Sequence, residues 1–254
     1  MITASFDPVT EAILRPELMH EPLGEKRPIC LFTFVESNFE RVQREFPCRI
    51  LTYAPTCRQK LPVLDVEYKG EHYALFLTLS TASSCGNLLE ELRVVLGIEK
   101  LVMFGSCGAL DAQLTAGRLI VPERAYRDEG LSYHYAPAAD YIRVKNADFV
   151  AARFDEWGVP YVRGGTWTTD GLYRETRANM EKRRAEGCLA VEMEVSAVQA
   201  VCDWHGMELY NFLLCGDLLD APEWDTRILN QPGEADVQWQ SLLIALELAR
   251  ALQK

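Results

Sequence analysis

Short apolar runs alternate with segments of helical spacing from residue 28 onward. The runs are short and apolar enough for buried strands, and they lie at 28–35, 73–79, 101–104, 119–122, 161–166, 188–191 and 209–214. Apolar residues recur with helical spacing at 38–46, 86–96, 146–157, 174–186, 195–206 and 237–252. This alternation predicts an α/β fold whose mixed, mostly parallel central sheet is flanked by helices.

Residues at the ends of these segments predict where helices begin and stop. Ser37 or Asn38 can cap the first helix, and Gly97, Gly158 and Gly206 each follow a helical segment. Residues 1–28 are rich in Pro and Glu and lack a period, so we expect an N-terminal arm or lead-in. Residues 29–254 show neither repeat nor linker and are predicted to form one domain.

The net charge of the chain limits the classes of molecule that it is expected to bind. A net charge of −11 argues against nucleic acid, because affinity for its backbone comes from Lys and Arg. The N-terminal sequence resembles no signal peptide, and every apolar run is shorter than the roughly 18 residues that cross a membrane. We therefore expect a cytoplasmic protein that binds neither nucleic acid nor membrane.

Eight cysteines first suggest a disulfide framework, but most of them lie in or beside apolar runs. The sequence has no CxxC motif, and this pattern favours buried reduced thiols. Its four His lack HxH or HxxxH spacing, so no metal site is predicted.

A glycine-punctuated segment follows the strand at 101–104 and reads Gly105-Ser106-Cys107-Gly108. We interpret it as a turn whose exposed N–H groups and Ser106 hydroxyl can hold an oxyanion or a ribose hydroxyl. An ordinary tight connection between elements is an equally simple interpretation of the segment alone.

Carboxylates follow two other predicted strands. Glu192 and Glu194 flank Met193 in an apolar stretch, where they can cap a helix or hold the vicinal hydroxyls of a sugar. Asp217 follows Cys215-Gly216 and is either a turn residue or, if partly desolvated, a general acid near neutrality.

Aromatic residues add a candidate site for a flat ring. Trp167 lies among hydroxyl residues past a strand end, and can stack on a heterocycle or fill the core. Tyr173 begins a charged cluster whose Arg177 can reach a base carbonyl or simply remain solvated. His134 in Ser132-Tyr133-His134-Tyr135 is either a surface residue or an interface residue.

Together these segments resemble the nucleoside phosphorylase family, which includes uridine phosphorylase, hexameric purine nucleoside phosphorylase and the methylthioadenosine nucleosidases. The resemblance runs from Pro28 to the C-terminus. The segments that carry it are Gly105-Ser106-Cys107-Gly108-Ala109, 132–137, Val191-Glu192-Met193-Glu194 and Gly216-Asp217.

The resemblance implies a role for each of these residues. Glu194 would hold the ribose 2′- and 3′-hydroxyls above Met193, and His134 would serve a neighbouring subunit's ribose site. Asp217 would protonate a purine at N7. Trp167, Tyr173 and Arg177 would contact the base.

Phosphate contacts are implied for Gly105, Ser106 and Arg41, the last because Glu40-Arg41-Val42 is similar to the end of the family's N-terminal phosphate loop. Phosphorylases of this family carry an Arg where this chain has Met103, and their loop glycine and proline are replaced by Ser37-Asn38-Phe39. Arg49 or Arg58 of a neighbouring subunit would have to complete the phosphate site.

The predicted enzyme is a nucleoside phosphorylase, a pentosyltransferase that uses nucleoside and inorganic phosphate without a cofactor. One alternative is a nucleosidase, with Glu36 activating water, and another is a nucleoside-binding protein without turnover. The base, purine or pyrimidine, stays open. By resemblance the assembly is a homodimer or a hexamer built from dimers.

Overall fold

The computed structural model describes residues 1–55 and 60–253, and Arg58 lies outside this part of the chain. Its helices are α1 Glu36–Glu45, α2 Ala82–Leu96, α3 Ser132–Tyr135, α4 Ala147–Trp157, α5 Arg177–Ala185, α6 Val195–His205 and α7 Glu234–Ala251. Its strands are β1 Ile29–Thr33, β2 Cys48–Pro55, β3 Lys60–Tyr68, β4 Glu71–Leu77, β5 Lys100–Ala109, β6 Leu119–Asp128, β7 Tyr141–Arg143, β8 Tyr161–Thr169, β9 Cys188–Glu192 and β10 Glu208–Leu218.

The strands form one mixed sheet in the order β10-β6-β8-β9-β5-β1-β4-β3-β2, with β7 paired to β6. Parallel pairing joins β1 to β4 and β5, β5 to β10, and β8 to β6 and β9. Because β10 pairs with β5 as well as with β6, strands β5, β9, β8, β6 and β10 close into a ring. The predicted fold class, a mixed sheet flanked by helices, is confirmed.

Two apolar layers cover the sheet. Residues of α2 and α6 pack in one core cluster, and residues of α1, α4 and α7 pack in the other. Gly97, Gly158 and Gly206 adopt the left-handed conformation directly after α2, α4 and α6, where the sequence predicts helix ends.

The start of the first helix differs from the prediction. Val35 is its N-cap, and Ser37 and Asn38 lie inside α1. Asn38 is buried there because its side-chain N–H donates to the Gln238 carbonyl of α7 at 2.9 Å. A partner two hundred residues away has replaced the local capping bond that the sequence suggests.

The glycine segment also differs, because Gly105 to Ala109 continue β5 as extended strand. β10 runs beside β5 over its whole length, and β9 pairs with Gly108 and Ala109. A side chain at Gly108 would place its Cβ 2.5 Å from Leu219 and 2.9 Å from Val191, so close packing requires glycine here. The predicted turn is therefore wrong, and the glycines leave room for side chains that pack closely on the strand, those of Leu219 and Val191 at Gly108 and that of Phe34 at Gly105.

The hairpin of β2 and β3 has no counterpart in the sequence prediction. Pro62 and Asp65 interrupt the apolar pattern of β3. Asp65 is nonetheless buried, because the Arg27 guanidinium donates to both its carboxylate oxygens at 2.7 Å.

Residues 1–28 contain two 3₁₀ turns, Ile2–Ala4 and Pro16–Leu18, and their description as an arm stays a prediction. The cysteines of the described chain are free thiols. Within residues 1–55 and 60–253, no helix combines the length and apolar character needed to span a bilayer.

Candidate active site

A cleft of about 800 Å³ opens where β5 and β10 end and where β9 passes into α6. Its walls include 34–37, 105–108 and 191–195, together with Asp217 of β10 and Gln238 of α7. The sheet therefore brings together three segments that lie far apart in the sequence.

Glu192 and Glu194 have different environments although one residue separates them. Glu192 Oε2 accepts from the backbone N–H of Glu194 and of Val195, both at 2.7 Å. Its other oxygen accepts from the hydroxyls of Thr168 at 2.6 Å and Thr166 at 3.1 Å. Both carboxylate oxygens of Glu192 therefore accept two hydrogen bonds each at the start of α6. Helix capping is one of the two roles that the sequence leaves open for this residue.

Glu194 keeps capacity for a ligand. Its Oε1 accepts from the Thr81 N–H at 2.7 Å and its Oε2 from the Met193 N–H at 3.2 Å. An ionised carboxylate has about four acceptor positions, so two remain for hydroxyls in the cleft. Burial, and next the charge of Glu192, raise the pKa of Glu194 to about 8. Two hydroxyl donors from a ligand would favour the ionised form.

Asp217 lies across the cleft on β10, beside a register shift in its pairing with β5. Its Oδ2 accepts from the Trp224 indole N–H at 2.6 Å. Burial raises the pKa of Asp217 and the Trp224 hydrogen bond opposes this shift. A half-buried carboxyl of this kind can deliver a proton into the cleft.

Neutral polar groups occupy the end of the cleft near Met103. Gln238 donates its side-chain N–H to the Ser106 hydroxyl at 2.7 Å, and Asn211 donates to the Met103 carbonyl at 2.8 Å. Asn211 Oδ1 is buried without a hydrogen-bond partner among the described residues. The first turn of α1, with its free N–H groups, faces the same space through Glu36 and Ser37.

The charge of the cleft is one-sided. Among the residues of the described chain that line it, none is Lys, Arg or His. The acidic lining residues are Glu36, Glu175, Glu192, Glu194, Asp217 and Glu234. In one subunit, any anion here must be held by neutral donors and helix N-termini.

Comparison with known proteins gives this arrangement a context. The sequence profile of the Phosphorylase superfamily matches residues 29–251. The chain belongs to this superfamily. It is an enzyme of the pentosyltransferase type, and the predicted nucleoside phosphorylase resemblance is confirmed.

Individual relatives of this superfamily member carry several activities. A DeoD-type purine nucleoside phosphorylase from Bacillus cereus is 27% identical over 162 residues, which is 63% of this chain and 69% of that protein. A uridine phosphorylase from Vibrio fischeri ES114 has a TM-score of 0.72 at 20% identity, over 94% of this chain and 98% of that one. An AMP nucleosidase from Bacteroides thetaiotaomicron VPI-5482 has a TM-score of 0.68 at 15% identity, over 90% of each chain. The two structures share the fold.

The structure places part of the predicted site in the cleft of this superfamily member. Gly105, Ser106, Met193, Glu194 and Asp217 line it together. Each lies within three residues after the end of a predicted strand. Because these residues lie close to strand ends, the sequence alone was enough to assign them to one site.

Arg41 does not line the cleft. Its guanidinium pairs with Glu45 at 2.6 Å and Asp236 at 3.2 Å and lies 4.3 Å from the Trp239 ring centroid. Arg49 pairs with Glu25 and with Asp65. Both arginines are held by carboxylates in this chain, so a phosphate role would require these pairs to break.

His134 lies elsewhere on the surface. It is exposed and lines a second groove, of about 990 Å³, with Tyr135, Trp204 and residues of the arm. In a single chain His134 therefore does not belong to the cleft that holds Glu194.

The three predicted base contacts also lie outside the cleft lining. Trp167 is only 2% exposed, donates to Asp128 at 3.0 Å and packs in a core cluster, which is the alternative left open by the sequence. Tyr173 is 94% exposed, and Arg177 donates to the Ala221 carbonyl at 2.6 Å.

Two other residues of the same region, Leu172 and Glu175, line the cleft. Burial, together with the charge of Asp217, raises the pKa of Glu175 to about 7. Glu175 belongs to the charged cluster noted in the sequence, but nothing local separates it from its solvated neighbours. Gln238 and Asn211 carry no sequence signal, because their partners are distant in the chain.

No group of three or more potential metal ligands is found within residues 1–55 and 60–253.

Proposed function

We propose that this protein cleaves the N-glycosidic bond of a ribonucleoside by phosphorolysis, giving a free base and ribose 1-phosphate. The observation that carries the proposal is the presence of Glu194, Met193 and Asp217 in one cleft, the first two directly after β9 and the third on β10. A sugar-binding carboxylate and a proton donor are the two groups that this reaction needs from the protein.

In the proposed reaction Glu194 accepts hydrogen bonds from the ribose 2′- and 3′-hydroxyls. Asp217 donates its proton to a base nitrogen as the C1′–N bond breaks, and the bonding electrons leave with the base. Positive charge develops on the sugar, where the neighbouring carboxylates stabilise it. A phosphate oxygen then bonds to C1′, and Asp217 regains a proton from solvent.

Support for phosphate as the nucleophile comes from the superfamily and from the neutral donors near Met103. The first turn of α1, the Ser106 hydroxyl and Gln238 face the same end of the cleft. Because the described lining residues supply no guanidinium, the expected affinity for phosphate is low. Inorganic phosphate is the only co-substrate that we propose, and no cofactor is required.

Hydrolysis is a second candidate, favoured by a specific observation. Asn211, whose Oδ1 has no hydrogen-bond partner among the described residues, and Glu36, whose carboxylate is an acceptor, both line the cleft. A water molecule can donate to two acceptors, whereas a phosphate dianion carries one O–H and can donate to only one. Glu36 would take the proton of this water as it attacks C1′.

The identity of the base, purine or pyrimidine, is a finer part of the proposal. The raised pKa of Asp217 favours protonation of a purine at N7, as in the purine-type mechanism. The relatives named above include enzymes for purine and for uridine, so both classes enter the test. The homodimer or hexamer, and the cytoplasmic location, stay proposals on the same footing.

One assay separates the candidates. The full chain is incubated with purine and pyrimidine ribonucleosides, with and without phosphate, and the sugar product is identified. Ribose 1-phosphate formed only with phosphate supports the proposal, and free ribose formed without phosphate supports hydrolysis. Glu36→Gln should abolish water-dependent cleavage and spare phosphorolysis. Nucleoside binding without any cleavage would contradict both enzymatic candidates.

A further inference from the structure

Two cysteines face each other where the cleft meets the sheet. Cys107 of β5 and Cys215 of β10 are direct partners in the parallel register of these strands. Both pack in the same core cluster, so their side chains lie on the same face of the sheet. Cys107 also lines the cleft, which gives small molecules a route to the pair.

This placement suits a covalent bond between the two sulfurs. Neighbouring strands lie about 4.8 Å apart, and disulfides join residues whose Cα atoms are about 4.4–6.8 Å apart. Bond formation therefore requires only a small local adjustment of the two strands.

Protonation of the two thiols is unequal. Contact with Cys107 and the charge of Arg227 lower the pKa of Cys215. Arg227 in turn donates to the Thr115 hydroxyl at 3.4 Å. The contact with Cys215 raises the pKa of Cys107, so Cys215 loses its proton before Cys107 as pH rises. By contrast, burial alone raises the pKa of Cys30.

We propose that Cys107 and Cys215 are a reversible thiol–disulfide site, oxidised by hydrogen peroxide or an organic hydroperoxide that enters through the cleft. The Cys215 thiolate attacks one peroxide oxygen, so that an S–O bond forms and the O–O bond breaks, and the hydroxide or alkoxide released takes a proton from solvent to leave as water or an alcohol. The Cys107 sulfur then attacks the sulfenic acid. An S–S bond forms, the S–O bond breaks, and the departing hydroxyl takes the Cys107 proton and leaves as water.

The bond would alter the machinery next to it. Asp217 lies two residues after Cys215 and pairs with Gly108, the residue after Cys107. A disulfide draws the paired Cβ atoms to about 3.8 Å, which shifts the strand that carries Asp217. Small misplacements of reacting groups cost large factors in rate. We therefore expect the oxidised protein to cleave nucleoside about tenfold more slowly or worse.

The decisive experiment is peptide mapping of the full chain. Reduced protein is treated with hydrogen peroxide, free thiols are alkylated, and the digest is analysed by mass spectrometry. The expected product is a peptide pair containing Cys107 and Cys215, lighter by two hydrogen atoms and separated by dithiothreitol. Alkylation of both residues after peroxide treatment overturns the proposal, and so does their oxidation to separate sulfinic acids.

Variants test the assignment. Cys30→Ala is the matched control and should form the linked pair as the unsubstituted chain does. Arg227→Gln should slow its formation, because it removes the positive charge that lowers the pKa of Cys215. Linkage at an unchanged rate in Arg227→Gln would contradict the proposed attacking role of Cys215.

The effect on activity rests on the proposed function, whereas the mapping does not. Peroxide should lower the cleavage rate, dithiothreitol should restore it, and Cys215→Ala should respond to neither. If the Cys107–Cys215 disulfide forms in a protein with no detectable nucleoside cleavage, the proposed function is contradicted and the thiol–disulfide site is still supported. Full activity in the linked protein would overturn the coupling between the two.

Discussion

Trp224 holds a mostly exposed indole ring against the proposed acid. Its side chain is 65% exposed, yet its N–H reaches Asp217 Oδ2 at 2.6 Å. A donor of this kind stabilises the ionised carboxylate, while burial favours the protonated form. Burial and the Trp224 hydrogen bond therefore act on the pKa of Asp217 in opposite directions, and this pKa determines whether Asp217 holds the proton that the reaction needs.

Trp224→Phe should raise the pKa of Asp217 further, because it removes the donor and keeps most of the ring. In a pH profile of kcat, the limb that reports loss of the acid should move to higher pH by about 0.7 unit, the equivalent of one hydrogen bond of about 1 kcal/mol. Asp217→Asn should abolish that limb and lower kcat by about 10²–10⁴. An unmoved limb in Trp224→Phe would rule out this control of the acid.

The presence of single residues in the cleft was predictable where those residues lie close to a strand end in the sequence. Glu194 and Asp217 satisfy that condition. Arg41 does not, because the residues that hold it include Asp236, far along the chain. Trp167 was ambiguous for a related reason, since only tertiary packing decides whether an aromatic ring after a strand fills the core or faces a ligand.

Among the elements, β5 shows how pairing overrides local preference. Its residues 105–109 contain two glycines, which weaken an isolated strand and predict a turn. β10 on one side and β9 on the other supply backbone partners that the local sequence does not reveal. Helix ends, in contrast, were predictable from glycines alone, because a left-handed residue after a helix is a local requirement.

Gly108→Ala should lower the free energy of unfolding by about 1–3 kcal/mol, because its Cβ would overlap Leu219 and Val191. That Cβ would also lie 3.5 Å from Asp217 Oδ1, so cleavage should slow as well. Denaturant unfolding and the nucleoside assay measure the two effects. Gly24→Ala is the control, since nothing lies within 4 Å of its added Cβ. Equal stability of the two variants would disprove the packing argument.

At the scale of the whole molecule, the acidic cleft makes stability depend on pH. The folded chain holds the pKa of Glu194 at about 8 and that of Glu175 at about 7, both above the ordinary value of 4.5. Between pH 4.5 and 8 the folded state therefore binds more protons than the unfolded state. Stability from these groups is present below pH 4.5 and is lost as pH rises through the folded values.

Glu194→Gln should remove part of this dependence. Its melting temperature should match that of the unsubstituted protein near pH 5 and exceed it by at least about 2 °C near pH 8.5, because the variant has no proton to release. The same variant should bind nucleoside more weakly. Thermal scans across this pH range, with Glu40→Gln on the exposed face of α1 as control, measure the effect. A constant difference at all pH values would show that ionisation of Glu194 plays no part.

The fold as a whole was predictable to the level of an α/β sheet with helices on both faces. The closure of its strands into a ring was not, because it depends on β10 finding β5 and β6 at once. Nor was the edge hairpin of β2 and β3, where the buried Asp65 depends on partners such as Arg27, which lies far away in the sequence.

Closure of the ring also determines which segments of the chain can change in sequence and length and which cannot. β10 is paired on both sides, so the strand carrying Asp217 has little freedom to move or to accept insertions. Leu172, Glu175 and Asn230 line the cleft from the segments 172–177 and 219–233, which are outside the ring. New substrate preferences can therefore arise by changes in these loops, at little cost to the scaffold. Such a protein can change what it acts on during evolution while the bond it breaks stays the same.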